Sequence, residues 1–325
     1  MPELAYISYY TNNARYRDFA NAGFRLYSVP IFFSSQTINE RTRMTYLSPG
    51  IYDGEEPDYS EADRRVRDIL AARPDAYIFP RVNVSLPVRW EKEHPDELLT
   101  SGYAEHRRSC FASETWLEES KRLLRDYIAH VESSDYCDSI IGYQISSGNT
   151  EEWFPFDFGI GCCDGKRTQE LISRERIDRD SGEFYERMSR LFAETIIELC
   201  GVAKECTSSR LVTGSFYGYT MFVPDRTSCH HGMKYILESD KIDFLCSPVS
   251  YAELRRPGMD HANMMCIDSL KLHGKLYMAE NDTRTHLSKP PNSLPAYNGP
   301  IWFGHSKEVT LEILKMHFSR ALTHG

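Results

Sequence analysis

The sequence predicts an α/β protein: a (β/α)8 TIM barrel lacking its eighth strand at the C-terminus, with residues 1–325 forming a single domain. Three observations carry this. Short β-rich runs alternate with amphipathic helical stretches through roughly seven units, the pattern of a parallel sheet. No shift in composition marks a linker. The length of 325 residues suits one α/β barrel, although it would also hold two ordinary domains.

The first strand is expected at Leu4 to Tyr10, followed by a helix from about Asn13 to Ala22. The second is Phe24 to Phe33, with Pro30 expected to end its regular part. A loop rich in Pro, Gly and Asp runs on to Tyr59. Ser60, with Asp63 three positions later, has the signature of an N-cap, and Val66, Ile69 and Leu70 share one face of the helix it opens. The third strand is Ala76 to Val84. From Ser113 to about Val131, the residues Trp116, Leu117, Leu123, Leu124, Ile128 and Val131 recur at helical spacing. The fourth strand, Ser139 to Ser146, leads into Gly148-Asn149-Thr150-Glu151-Glu152-Trp153.

After an irregular stretch, Phe184, Met188, Leu191, Phe192, Thr195, Ile196 and Leu199 mark a strongly periodic helix. The fifth strand is Arg210 to Tyr217, and a short helix near Met233 to Glu238 precedes the sixth, Asp243 to Ser247. A helix from Asn263 to His273 stops at Gly274, a common helix-ending residue, before the seventh strand, Lys275 to Glu280. A last helix spans about Lys307 to Leu322. A barrel of this type closes with eight strands, so the expectation is a chain truncated before the eighth, or one whose eighth element comes from elsewhere.

Composition narrows the function. Against 38 Lys and Arg stand 47 Asp and Glu, a net charge of −9 with no basic stripe to neutralise phosphates, which argues against a nucleic-acid partner. The longest apolar stretches, such as Tyr27 to Phe33, are too short to span a bilayer, and the N-terminus lacks the pattern of a signal peptide. Nine cysteines, an odd number with no CxxC pair, favour reduced thiols in a cytoplasmic protein, and Cys162-Cys163 reads as a loop. Cys229-His230-His231 is the densest metal-ligand cluster. Adjacent residues do not easily share one ion, so it too reads as a loop, and no metal is expected. His261 and His273 are expected at the surface. The absence of a Gly-rich phosphate loop and of a GxSxG elbow leaves no cofactor expected. Aromatic residues reach 12%, which suits a sugar cleft and equally suits a core.

In an α/β barrel, chemistry gathers at the C-terminal ends of the strands. That filter selects Asn83, the segment Asn149 to Glu152, Tyr217 and Tyr219, Ser247 and Tyr251, and Glu280 to Arg284. Glu280 ends the apolar run Leu276-Tyr277-Met278-Ala279, where a charge must be paired or used. Arg284 is within sequence reach as a counter-charge that keeps it ionised, and a structural acid–Arg pair at the rim is the alternative. Trp153 offers an apolar wall beside Glu151 and Glu152, an environment that raises a carboxyl pKa and suits a general acid; an exposed acidic turn is the alternative. Carboxylates after the fourth and seventh strands face each other across a barrel mouth, as in retaining glycosidases.

On these residues the sequence resembles the clan A glycoside hydrolases, most closely family 42 β-galactosidase-like and family 164 β-mannosidase-like proteins. The likeness rests on residues 24–30, Ile141-Gly142-Tyr143-Gln144, residues 148–154, Ser247-Pro248-Val249-Ser250-Tyr251 and residues 279–284. It covers nearly the whole chain. It implies a nucleophile at Glu280 and an acid/base at Glu152, with Glu151 as the fallback because the usual Asn-Glu adjacency is broken here by Thr150. The Glu-Trp pair of the subgroup favours Glu152. The resemblance further implies that Asn149 binds a sugar 2-hydroxyl, with Arg81, Asn83, Glu151, Tyr217, Tyr251 and Arg284 contacting substrate or orienting the nucleophile. The expected partner is an oligosaccharide or glycoside, and relatives often form trimers. A non-catalytic carbohydrate-binding barrel and a metal-dependent barrel hydrolase are the competing readings, the latter disfavoured by strand ends poor in His.

Overall fold

A computed structural model of the chain describes residues 4–7, 15–35, 49–99, 109–148, 151–155, 164–221, 226–250, 255, 257–259, 263–287 and 306–324. Seven strands lie side by side in chain order: β1 Ala5–Ile7, β2 Leu26–Phe32, β3 Tyr77–Asn83, β4 Gly142–Ser146, β5 Val212–Phe216, β6 Phe244–Pro248 and β7 Leu276–Glu280. Every neighbouring pair is parallel. The helices are α1 Tyr16–Asn21, α2 Ser60–Ala72, α3 Val88–Glu93, α4 Glu114–Glu132, α5 Lys166–Glu175, α6 Gly182–Cys206, α7 Met233–Glu238, α8 Ile267–Leu272 and α9 Lys307–His324. Parallel neighbours need crossovers long enough for a helix, which is why strands and helices alternate.

The sheet curls. Phe79 on β3 and Phe244 on β6 meet at 6.4 Å between ring centroids. Three strand spacings in a flat sheet would hold them about 14 Å apart. Register then sorts the side chains into two faces. Leu26, Ser28, Pro30 and Phe32 align with Tyr77, Phe79, Arg81 and Asn83, and these with Gln144 and Ser146. The same row continues through Gly214 and Phe216 to Phe244, Cys246 and Pro248, ending on Leu276, Met278 and Glu280. Because strand side chains alternate, this row is the concave, inner face. The outer face carries Val29, Ile31, Ile78, Val82, Tyr143, Ile145 and Leu245, all buried in the core that includes Leu124 and Ile128 of α4 and Phe192, Ile196 and Leu199 of α6.

Local chemistry explains the long helices. Ser113 caps α4, its hydroxyl accepting from the Trp116 amide at 2.9 Å, and Ser181 caps α6 by accepting from Phe184 at 3.2 Å. At α2 the expected cap is shifted: Ser60 is the first helical residue, Tyr59 stands at the N-cap without a side-chain bond, and Asp58 accepts from the Ser60 amide at 2.9 Å. Pro30 does not end β2. It lies opposite Arg81, past Ser28, the last residue in register with β1, so its missing N–H breaks no described ladder bond. Two helices, α3 and α5, lie in stretches without a strong periodic pattern. In α5 only Thr168, Leu171 and Ile172 are buried, too narrow a stripe to read. The helix expected from Asn263 to His273 is confined to Ile267–Leu272, with Gly274 following it at φ 68°.

The edges differ from the centre. From β3 to β6 only the first residues of β3 and β5 are exposed, whereas β7 is exposed or half-buried until Glu280 and β1 is half-buried throughout. Among the described residues no strand pairs with β1 or β7 on the side away from its neighbour.

Candidate active site

The segment after β4 turns back on itself. Gly148, Glu151 and Trp153 have φ of 73°, 68° and 59°. A Cβ at Gly148 would lie 2.8 Å from the Phe154 carbonyl oxygen and 2.9 Å from the Trp153 Cα, so the loop needs glycine both for conformation and for space. Trp153 anchors it: the main-chain N–H donates to Ser147 O at 2.8 Å and the indole N–H to Ile145 O at 3.2 Å. The fully buried indole packs against Phe111. The expected apolar wall beside the glutamates is thus an anchor in the core.

The two glutamates diverge. Glu151 is 1% exposed and accepts from Arg81 Nε at 3.0 Å, with Arg81 itself fully buried on the inner face. Burial raises the Glu151 pKa, opposed by Arg81 and by a hydrogen bond from Asn83. Glu152 is half-buried, in register with Ser147, and accepts from the Tyr219 hydroxyl at 2.9 Å. Glu280 ends β7 on the inner face at 6% exposure, opposite Pro248. Between them, on β6, lies the buried Cys246 thiol; burial and the fields of Glu280 and Glu152 push its pKa up, while Arg81 pulls it down.

His230 is fully buried. Its Nδ1 accepts from the Gly218 and Tyr219 amides, each at 3.2 Å, so the proton resides on Nε2 and is donated to Glu152 O at 2.9 Å. The ring stacks on Phe154, and burial lowers its pKa to about 3. Cys229 and His230 are therefore packed beside the glutamates, while His231 is exposed. Among the described residues no group of three His, Cys, Asp or Glu is arranged to hold a metal ion.

Other expected residues are placed differently. Tyr217 is one position past the inner-facing Phe216, so it falls on the outer face. It is fully buried there, its hydroxyl donating to Cys229 O at 2.8 Å and accepting from the Gly232 amide at 3.0 Å. It does not reach the glutamates; Tyr219 does. Arg284 is half-buried beyond β7, while Asp282 pairs with Arg255 at 2.6 Å. Arg255 is fully buried and also donates to Ser250 O and Val249 O. Asn149, Tyr251, Cys162, Cys163 and His261 lie outside the described residues. The sequence offers His230 only as part of a Cys-His-His loop, because its partners are backbone amides and a carbonyl remote in sequence, and nothing in local composition distinguishes Arg255.

Beside β4, a cavity of about 30 Å³ is lined by Ser85, Leu86, Glu91, Phe111, Trp116 and Gly148, among others. It has room for a water and not for a sugar ring.

This geometry is that of an incomplete (β/α)8 barrel with acidic and basic groups gathered at the C-terminal ends of its strands, and comparison with solved structures places the fold among glycoside hydrolase barrels. The chain superposes on a β-galactosidase from psychrophilic Marinomonas ef1 with TM-score 0.52 and 11% identity, over 99% of this chain and 60% of that one. A β-galactosidase from Rahnella sp. R3 gives TM-score 0.52 and 10% identity over 95% of this chain and 53% of that one. The catalytic domain of a β-amylase from Paenibacillus polymyxa gives TM-score 0.53 and 9% identity over 98% and 83%. The chain thus spans little more than half the length of these β-galactosidases. No protein-family model and no curated protein matches the sequence, so the likeness is one of fold. Among the described residues no helix is long and apolar enough to cross a membrane.

Proposed function

We propose that this chain is the catalytic barrel of a retaining β-glycosidase acting on terminal β-linked hexosides, β-galactosides or β-mannosides, through a glycosyl-enzyme intermediate. The observation that carries this reading is the placement of Arg81 and Glu280 on the inner face at the C-terminal ends of β3 and β7, with Glu152 on the loop after β4. Glu280 attacks the anomeric carbon while Glu152 gives its proton to the departing glycosidic oxygen. A water then attacks the same carbon, losing its proton to Glu152, and the bond to Glu280 breaks with retention. Glu152 is favoured over Glu151 as acid/base because Glu151 is sealed in its pair with Arg81, whereas Glu152 is half-open to solvent. In this reading Asn149 binds the 2-hydroxyl, and Arg81 and Asn83 set the charge and shape of the sugar-facing floor. A cytoplasmic location, supported by the free thiols, and a homo-oligomer belong to the same proposal.

The test is turnover of a panel of aryl β-galactosides and β-mannosides by the wild type and by Glu280→Ala, Glu152→Ala and Glu151→Ala. Glu280→Ala is expected to lower kcat by at least about 10³-fold, as loss of a nucleophile does. Near-normal turnover by Glu280→Ala overturns the assignment, and an inverted product in the proton NMR of the first-formed sugar overturns double displacement. Sugar binding by a wild type that hydrolyses no glycoside favours a non-catalytic carbohydrate-binding barrel instead.

A further inference from the structure

We infer that His230 and Tyr219 are positioning residues for Glu152, His230 clamping the β5 loop to the β4 loop so that the Tyr219 hydroxyl is held on the Glu152 carboxylate. The inference rests on Glu152 being the acid/base of the proposed reaction, and it goes further by giving roles to His230, expected only as a loop residue, and to Tyr219, expected only as a strand-end candidate.

The argument is geometric. Two consecutive amides, of Gly218 and Tyr219, donate to the same acceptor, His230 Nδ1, at 3.2 Å each. The opposite nitrogen donates to the main-chain carbonyl of Glu152 at 2.9 Å. One ring thus spans the two loops. Gly218 at φ 89° permits the turn that presents both amides to it. Phe154 stacks on one side of the ring at 4.2 Å and Tyr217 lies 4.7 Å away, so the imidazole has little freedom to tilt. With the main chain of both loops tied to one rigid ring, the Tyr219 hydroxyl reaches Glu152 Oε1 at 2.9 Å. A buried neutral histidine is satisfied by one donated and one accepted bond. This one makes three, all to the two segments that carry the candidate acid and its hydrogen-bond donor. The neutral ring is required, since a protonated Nδ1 has no lone pair for either amide.

A donor to the ionised carboxylate favours the charged form, so Tyr219 would set how readily Glu152 gives up its proton. Glu151 adjoins Glu152 in sequence, Cys246 on β6 feels the charges of Glu280, Arg81 and Glu152, and His231 adjoins His230. Glu151, Cys246, Glu280, Arg81 and His231 are unaltered in the variants below.

Carbon-13 NMR of carboxyl-labelled glutamate, with Glu152→Gln to assign the signal, follows the Glu152 titration in the wild type, Tyr219→Phe, His230→Leu and His230→Gln. Tyr219→Phe is expected to move the midpoint up by about one pH unit. His230→Leu moves it in the same direction although Tyr219 is intact, and His230→Gln, which keeps a donor toward the Glu152 carbonyl, moves it less. A Glu152 midpoint unchanged in Tyr219→Phe, or unchanged in a natively folded His230→Leu, overturns the inference. In parallel, below the Glu152 midpoints of both proteins, kcat/KM of Tyr219→Phe on phenyl β-galactoside or β-mannoside should fall about 3- to 10-fold, against no loss on the 2,4-dinitrophenyl glycosides, whose departure needs little proton donation. Equal losses on both would mark a merely structural role and overturn the inference. If the wild type hydrolyses neither sugar, the glycosidase reading fails while the NMR still decides the clamp.

Discussion

Glu151 and Glu152 are separated by one peptide bond and live in opposite surroundings. The positive φ of Glu151, 68°, turns its carboxylate inward to Arg81, and Glu152 points to Tyr219. A non-glycine residue in that region stores roughly 1–3 kcal/mol of strain, which the buried ion pair and the Trp153 anchor hold in place. The neutral His230 adds a titration signature. Its folded pKa, about 3, lies below the ordinary histidine value of 6.5, so the stability it contributes is fully present above pH 6.5 and is lost as pH falls toward 3. Between pH 8 and pH 5 that loss is about 2 kcal/mol. Denaturant titrations at the two pH values should therefore show a wild-type loss larger by about this amount than in His230→Gln. Equal losses would contradict a neutral buried ring.

The loop after β4 fails or holds through Gly148. Replacement by alanine meets both the left-handed backbone and the Phe154 carbonyl at 2.8 Å. Gly148→Ala is expected to destabilise by more than about 1 kcal/mol, read as a lower melting temperature in calorimetry. Much of this level was legible from the sequence. All seven strands stand where apolar runs lie between turn signals, and α4 begins behind Ser113, where the periodic stripe begins. Other elements were not legible. Helix α5 shows too few buried apolar positions, and Ser60 looks like a cap only until Asp58 is seen to take the amide. The site shows the same division. Glu280 stands out in the sequence as a charge at the end of an apolar strand, whereas Arg81 enters only through the family resemblance. Tyr217 was misplaced because one residue of strand register decides inner from outer face, and no local pattern fixes it. The role of His230 became visible only with its distant backbone partners, and that of Arg255 only with Asp282.

At the scale of the whole molecule, the sheet has, among the described residues, two unpaired edges. On β7, the Leu276 amide donates to Asp243 O and Glu280 O accepts from Val249, so even-numbered residues face β6 and the amides of Tyr277 and Ala279 face away. Hydrogen exchange should find these two at least about 10²-fold faster than Leu276 and Met278. Protection of all four alike would show that another strand covers the edge in solution, from a second copy or from elsewhere in a longer polypeptide. The rim above β6 and β7 behaves differently. Arg255, fully buried, bonds Ser250 O and Val249 O on one side and Asp282 on the other. Val249, Ser250, Arg255 and Asp282 are consequently a single unit of exchange. A graft that replaces either loop alone strands a buried charge, at roughly 3–5 kcal/mol, so recombination among barrels of this kind must carry both loops across together.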